Sequence, residues 1–195
     1  MATSRENKTI SQFKAALIGG GARPNLFEVE MTTLPDGIAW DADSFRYMCK
    51  AATLPASNIA NIDIPFRGRI FKVAGDRTIE TWSVTVINDE SFKLRNAFEE
   101  WMQLIAKLDN NLGATLPESY MTDASVYQLG RGSTTSSQDS SGSENAVLKE
   151  YKMQGIFPTS LAAIDLSYDT GDTIEEFTVE FQVQSFQPVS GGPNG

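Results

Sequence analysis

Two stretches of this chain alternate apolar and polar residues with a period of two, and that pattern commits both to strands. Across 78–87, Trp82, Val84 and Val86 share one side, with Ile79, Thr81, Ser83 and Thr85 on the other. Across 174–186, Phe177, Val179, Phe181 and Val183 alternate with Glu176, Thr178, Glu180, Gln182 and Gln184. Successive side chains of a strand point to opposite faces, so each stretch offers one face to a core and one to water. The pattern recurs at Phe27, Val29 and Met31 against Glu28, Glu30 and Thr32, ahead of a turn at Pro35-Asp36-Gly37. It recurs again at Phe45, Tyr47 and Cys49 against Arg46, Met48 and Lys50, which reads as another strand. Between Asn61 and Val73, Ile62, Ile64, Phe66 and Ile70 fall on one side. With a turn at Ala74-Gly75-Asp76-Arg77, this segment and 78–87 form a long hairpin whose tip projects past the core.

One segment changes period. Leu94, Phe98, Trp101, Ile105 and Leu108 recur at helical spacing, with Ala97 and Leu104 widening the stripe. Asn88-Asp89-Glu90-Ser91 supplies capping and first-turn acidic residues, and Asn110, Asn111 and Gly113 stop the helix. A shorter helical stretch, Ser11–Ile18, is halted by Gly19-Gly20-Gly21. After Pro117 come strands at Ala124–Leu129, Val147–Phe157 and Ala163–Tyr168, then a hairpin turn at Asp169-Thr170-Gly171-Asp172. Residues 130–145 carry no large apolar side chain and read as a mobile Ser/Thr/Gly-rich loop. Seven or eight strands and one substantial helix make a mainly β chain, an antiparallel β-sandwich or β-barrel with a helix on its flank. The expected organisation is a lead-in over 1–21, one domain over 22–187, and a disordered tail over 188–195.

The chain has 195 residues, and its 41% hydrophobic content is enough to bury a core. Its net charge of −9 repels phosphate backbones, which argues against gripping nucleic acid but permits nucleic acid to pass. Histidine is absent and cysteine occurs once, at Cys49, so the usual general base, the usual zinc ligand and any internal disulfide are missing. Met1–Lys8 lacks an apolar signal core, and no apolar run has the length of a membrane span, which predicts no membrane insertion. Glu99-Glu100, Glu175-Glu176 and the Asp169, Asp172 pair read as solvated positions in preference to acid/base couples. Neither 74–77 nor the triple glycine matches a phosphate-binding spacing. Cys49, Trp82, Phe98 and Trp101 read as packed residues. No catalytic, cofactor or metal residue is assigned.

Several short blocks carry a signal beyond their periodicity. They are Ala22-Arg23-Pro24-Asn25-Leu26-Phe27-Glu28-Val29; Cys49-Lys50-Ala51 with Leu54-Pro55-Ala56; Val73-Ala74-Gly75-Asp76-Arg77-Thr78; Trp82-Ser83-Val84-Thr85-Val86; and Asn88-Asp89-Glu90. Gly155-Ile156-Phe157-Pro158-Thr159 and Glu176-Phe177-Thr178-Val179 complete the set, and together, in order over roughly 22–187, the blocks resemble the tail tube proteins of contractile-tailed bacteriophages. The Ser/Thr/Gly segment is longer than that family's usual connection, and residues 1–21 carry none of its signature.

The resemblance implies a structural, non-enzymatic virion protein with no cofactor. Six subunits would form a ring whose inner strands join into one barrel, and rings would stack into the inner tail tube that delivers the genome. Implied partners are further copies of the chain, the tail sheath protein, and baseplate and tail terminator proteins. A tape-measure protein and DNA would occupy the lumen transiently, without specific binding. The tube would be made and assembled in the host cytoplasm and reside in the virion tail. Closed barrels large enough for an aqueous channel need more strands than one small subunit holds, which is the reason for sharing. A lumen dominated by Glu, Asp, Gln, Ser and Thr is expected, supplied by the long hairpin and the last two strands. Arg23, Pro24, Asn25, Gly75, Asp76 and Arg77 are the expected intersubunit contacts, with Asp76 and Arg77 pairing either across a ring boundary or within one turn. Three readings stay beside this one: the inner tube of a type VI secretion system or bacteriocin, a monomeric ligand-binding β-barrel, and a carboxylate-dependent hydrolase.

Overall fold

A computed structural model describes residues 9–17, 21–133, 145–169 and 171–189. In chain order the elements are α1 (Ile10–Ala16), β1 (Phe27–Glu30), α2 (Ala42–Met48), β2 (Cys49–Ala52), β3 (Ser57–Phe66), β4 (Arg69–Ile79) and β5 (Trp82–Ile87). There follow α3 (Lys93–Ile105), a 3₁₀ turn at Pro117–Ser119, β6 (Thr122–Ser133), β7 (Asn145–Leu161), β8 (Glu176–Gln182) and β9 (Ser185–Val189). Seven strands form one sheet in the order β1-β6-β7-β8-β5-β2, with β9 joined to β7, while β3 and β4 make a sheet of their own. The mainly β architecture with one long helix is the one the alternation predicts.

The chain divides into two compact units. The first takes its described residues from 9–28 and 127–150; the second comprises 29–126 and 151–189. In the first, the turn at 23–26 is tied down by Gln128, whose Nε2 donates to the carbonyls of Arg23 and Leu26 at 2.7 Å each. The amide of Leu129 adds a bond to the Leu26 carbonyl at 2.9 Å.

In the second unit, the core forms where the alternating strands meet the amphipathic helix. β5 and β8 pair antiparallel with Trp82 opposite Phe181, Val84 opposite Val179 and Val86 opposite Phe177. All six are buried, and α3 lays Leu94, Ala97, Phe98 and Trp101 into the same core. Phe98 is the hub: the rings of Trp40, Phe45, Phe177, Phe181 and Trp101 lie 5.6, 6.1, 6.2, 5.9 and 6.5 Å from it. Such aromatic clusters add edge-to-face attraction to the area they bury. The two indoles at its rim keep their N–H groups bonded, Trp40 to the Met31 carbonyl (2.6 Å) and Trp101 to the Tyr120 carbonyl (2.7 Å).

Several expected elements take another form. The segment around Phe45 is a helix because Asp41 caps it, accepting the Ser44 amide at 3.0 Å and the Ser44 hydroxyl at 2.7 Å. The apparent alternation there is incidental, since Phe45 is buried and Tyr47 exposed. At α3 the N-terminal residue Phe92 adopts a left-handed conformation (φ 54°) with no side-chain cap. Asn88, expected as a cap, is instead bonded through its backbone and side-chain N–H groups to Glu175. The helix also ends a turn early, at Ile105, because the Leu104 carbonyl accepts the returning Ala114 amide at 2.9 Å. β6 extends to Ser133 and β7 starts at Asn145, so 130–133 and 145 of the expected loop are strand; 134–144 lie outside the described residues. β7 runs unbroken to Leu161, whereas Ala163–Tyr168 forms no strand, with Leu166 and Tyr168 exposed. The last stretch divides into β8 and β9. The disordered tail expected over 188–195 falls, beyond Val189, outside the described residues, as do Met1–Lys8 and the triple glycine's first two members.

Candidate assembly surface

The hairpin turn lies at Arg67-Gly68 and not at Gly75-Asp76-Arg77. Arg67 and Gly68 both take positive φ (48° and 80°), the requirement of a two-residue turn of type I′. Centred there, β3 and β4 pair antiparallel along their whole length, from Phe66 opposite Arg69 back to Ser57 opposite Ile79. The glycine signal at 75 marks something else. Asn61 faces Ala74 and Ile59 faces Arg77, so Gly75 and Asp76 together oppose Ala60 as a β-bulge. A Cβ at Gly75 would come within 3.1 Å of the Ala60 carbonyl oxygen, which is why the position suits glycine.

Register sorts the hairpin into two unlike faces. Ile62 opposite Val73, Ile64 opposite Phe71, and Phe66 opposite Arg69 share one face. The other face carries Asp63 opposite Lys72, joined at 3.2 Å, with Pro65 opposite Ile70. Ile70 therefore lies away from the isoleucines with which its sequence parity groups it. The apolar face is uncovered: Ile62, Ile64, Phe66, Phe71 and Val73 are 53, 46, 65, 65 and 39% exposed. A two-stranded ribbon standing alone is marginal in water, and a contiguous apolar face of this kind marks a contact surface. Residues 57–79 also hold four basic side chains (Arg67, Arg69, Lys72, Arg77) against two acidic ones (Asp63, Asp76), a surplus of positive charge on a chain of net charge −9.

Arg23, Pro24 and Asn25 form an exposed turn in the first unit; Gly75, Asp76 and Arg77 lie on β4 in the second. Asp76 and Arg77 are both exposed and make no ion pair with each other among the described residues. Sequence reading missed Arg67-Gly68, although the apolar alternation is symmetric about that dipeptide, Ile62-Ile64-Phe66 before and Phe71-Val73 after. Arginine is an unusual occupant of a positive-φ turn position, and the Gly75-Asp76-Arg77 string was the more familiar turn signal.

The rest of the second unit offers a polar sheet surface. On the face away from the core, β8 carries Glu176, Thr178, Glu180 and Gln182, and β5 carries Ser83 and Thr85. The hydroxyls of Thr85 and Thr178 meet across the strands at 3.1 Å, and Lys50 on the end strand β2 pairs with Glu176. Of the other carboxylates weighed for chemistry, Glu99 pairs with Arg95 (2.8 Å) and Glu175 accepts from Asn88 (3.0 Å). Burial pushes the Cys49 thiol up to about 12, so it is not a thiolate at neutral pH.

The family described as phage tail tube protein matches residues 22–188. The tail tube protein gp19 of Enterobacteria phage T4 is 35% identical over 161 residues, which cover 83% of this chain and 88% of that protein. The tail tube protein of Serratia phage KSP90 is 26% identical over 185 residues, covering 93% of this chain and 97% of its own. Among solved structures, a chain of the anti-feeding prophage baseplate superposes with a TM-score of 0.60 at 11% identity, covering 90% of this chain and 98% of that one. A chain of the anti-feeding prophage tube-terminating cap gives 0.57 at 16% identity, covering 98% and 100%. At these identities the two structures speak for the fold.

Proposed function

The chain belongs to the phage tail tube protein family, and from that premise we propose that its copies close into rings of six that stack as the inner tube of a contractile tail, the conduit for genome delivery. The observation that carries the reading is the β3–β4 hairpin, whose apolar face is presented to solvent by one chain alone. A second copy covering that face would supply the packing that a lone ribbon lacks. Ring and stacking contacts are heterologous, so one surface of each copy meets a different surface of the next. β1 and β2 end the main sheet, and their outer edges are where strands of neighbouring copies would continue it.

The Thr, Ser, Gln and Glu face of β5 and β8 suits a lumen wall. It is hydrated, and its carboxylates repel phosphates, so DNA passing through finds no counterion-releasing grip. The role is structural, with no catalytic step. Partners on this reading are the sheath around the tube, the baseplate from which it grows, the terminator at its end, and a tape-measure protein inside. Arg23, Pro24, Asn25, Gly75, Asp76 and Arg77 stay as candidate contacts between copies; Gly75 acts there through the bulge that bends β4, not through a tip.

Negative-stain electron microscopy of the purified chain, alone and seeded with tail baseplates, tests the reading. Stacked rings are expected from the natural sequence, and none from Ile64→Asp, which puts a charge on the uncovered face. A chain that stays monomeric at every concentration, seeded or not, overturns it.

A further inference from the structure

We infer that α1 of one copy is the cover for the apolar hairpin face of another copy, an inference that rests on the assembly reading above. α1 precedes the region matched by the family, 22–188, and is nonetheless a built helix. Thr9 and Gln12 close a full capping box at its start, the Thr9 side chain accepting the Gln12 amide while the Gln12 side chain accepts the Thr9 amide. Ile10, Phe13 and Leu17 fall at spacings of three and four and so share one face. They are 75, 66 and 44% exposed, and α1, alone among the three α-helices of the described residues, buries nothing.

The chain thus carries two uncovered apolar surfaces of complementary kind. One is a helical stripe and the other is one face of a two-stranded ribbon, and a ribbon gains independent stability from a third strand or from a helix packed on it. Their sizes agree: seven helical residues span about 10 Å, and the ribbon face from Ile62 to Phe66 about 13 Å. The opposite hairpin face, with its Asp63–Lys72 pair, offers no such seat. A helix from one copy laid on the ribbon of the next is a head-to-tail contact, the kind that propagates along a stack in place of closing a dimer. Ile10 and Phe13 would meet Ile62, Ile64, Phe71 and Val73.

The test uses the full chain with Phe13 replaced by the photo-crosslinker p-benzoylphenylalanine, assembled from equal parts ¹⁵N-labelled and unlabelled copies. The expected adduct joins position 13 to a peptide within 59–74, with labelled–unlabelled pairs present. Adducts confined to single copies, or falling on other peptides of a neighbour, overturn the inference while leaving the assembly reading standing. Failure of every seeded and unseeded sample to assemble overturns both. In parallel, Ile10→Ser with Phe13→Ser should raise the concentration needed for assembly by about tenfold or more, the factor expected from exposing one large apolar side chain. The monomer's thermal midpoint should not move, since neither side chain is buried in it. Unchanged assembly in that variant also overturns the inference.

Discussion

β4 and β5 are separated only by Glu80 and Thr81, and both set apolar side chains on one face of a strand, yet those faces meet opposite fates. In β5, Trp82, Val84 and Val86 are wholly buried against β8 and α3; in β4, Phe71 and Val73 face solvent. The same local code therefore serves two ends. Where a helix of the same chain lies over the apolar face, the pattern makes a core. Where none among the described residues does, it makes a surface with an unmet demand for cover. An apolar face that one chain leaves bare is information about assembly, because burying it is favourable by roughly 25 cal/mol for each Å² once a partner arrives.

That contrast can be broken most directly at its buried end. Phe98→Ala removes the ring around which five others gather and should cost about 3–5 kcal/mol of monomer stability by urea unfolding, the range for an emptied aromatic site. A loss under about 1 kcal/mol would mean that the core is not the close-packed one described. Thiol chemistry gives the next largest effect. Cys49, pushed up to about 12 by burial, should alkylate with iodoacetamide at least about tenfold more slowly at pH 8.5 than in the urea-unfolded chain. A cysteine at position 64 in a Cys49→Ala background should react as fast as an unfolded one until the protein assembles. Equal rates at the two sites would erase the distinction between body and hairpin. Because the folded thiol keeps its proton longer than the unfolded one, stability should fall as pH rises from about 9 toward about 12, and the fall should vanish in Cys49→Ala.

Smaller effects sharpen the comparison at its margins. Arg95 reaches from α3 to the Ala162 carbonyl (2.7 Å), stacks over Phe177 (5.2 Å) and pairs with Glu99, so Arg95→Ala should cost about 1–2 kcal/mol. Glu99→Ala, which removes only the exposed partner, should cost under about 0.5 kcal/mol. The least change belongs to the hairpin: Ile64→Asp should move monomer stability by less than about 0.5 kcal/mol while abolishing rings. A large loss of monomer stability there would place the hairpin inside the cooperative fold and remove the reason to assign it to a partner.

Much of this is legible in the sequence. The faces of β5 and β8 and the buried stripe of α3 follow from residue spacing, because a side chain's direction is fixed by the local backbone period. The family blocks from Ala22 onward pointed to a shared tube fold for the same reason that motifs persist in strands and turns. The candidate contacts fared differently. Arg23-Pro24-Asn25 lies in an exposed turn, while Gly75-Asp76-Arg77, expected as the hairpin tip, lies at a bulge, and the tip is Arg67-Gly68.

By itself, then, the sequence determined which residues of β5, β8 and α3 leave water and what period those segments follow, since both depend on side-chain chemistry and neighbours along the chain. Tertiary structure alone decided the hairpin's centre, the early end of α3 and the split between β8 and β9. Each of these turns on partners distant in sequence. Register is fixed by which residue lies across the strand, as at Ala60 and Gly75, and a helix ends where a returning backbone takes its carbonyls, as Ala114 does at Leu104.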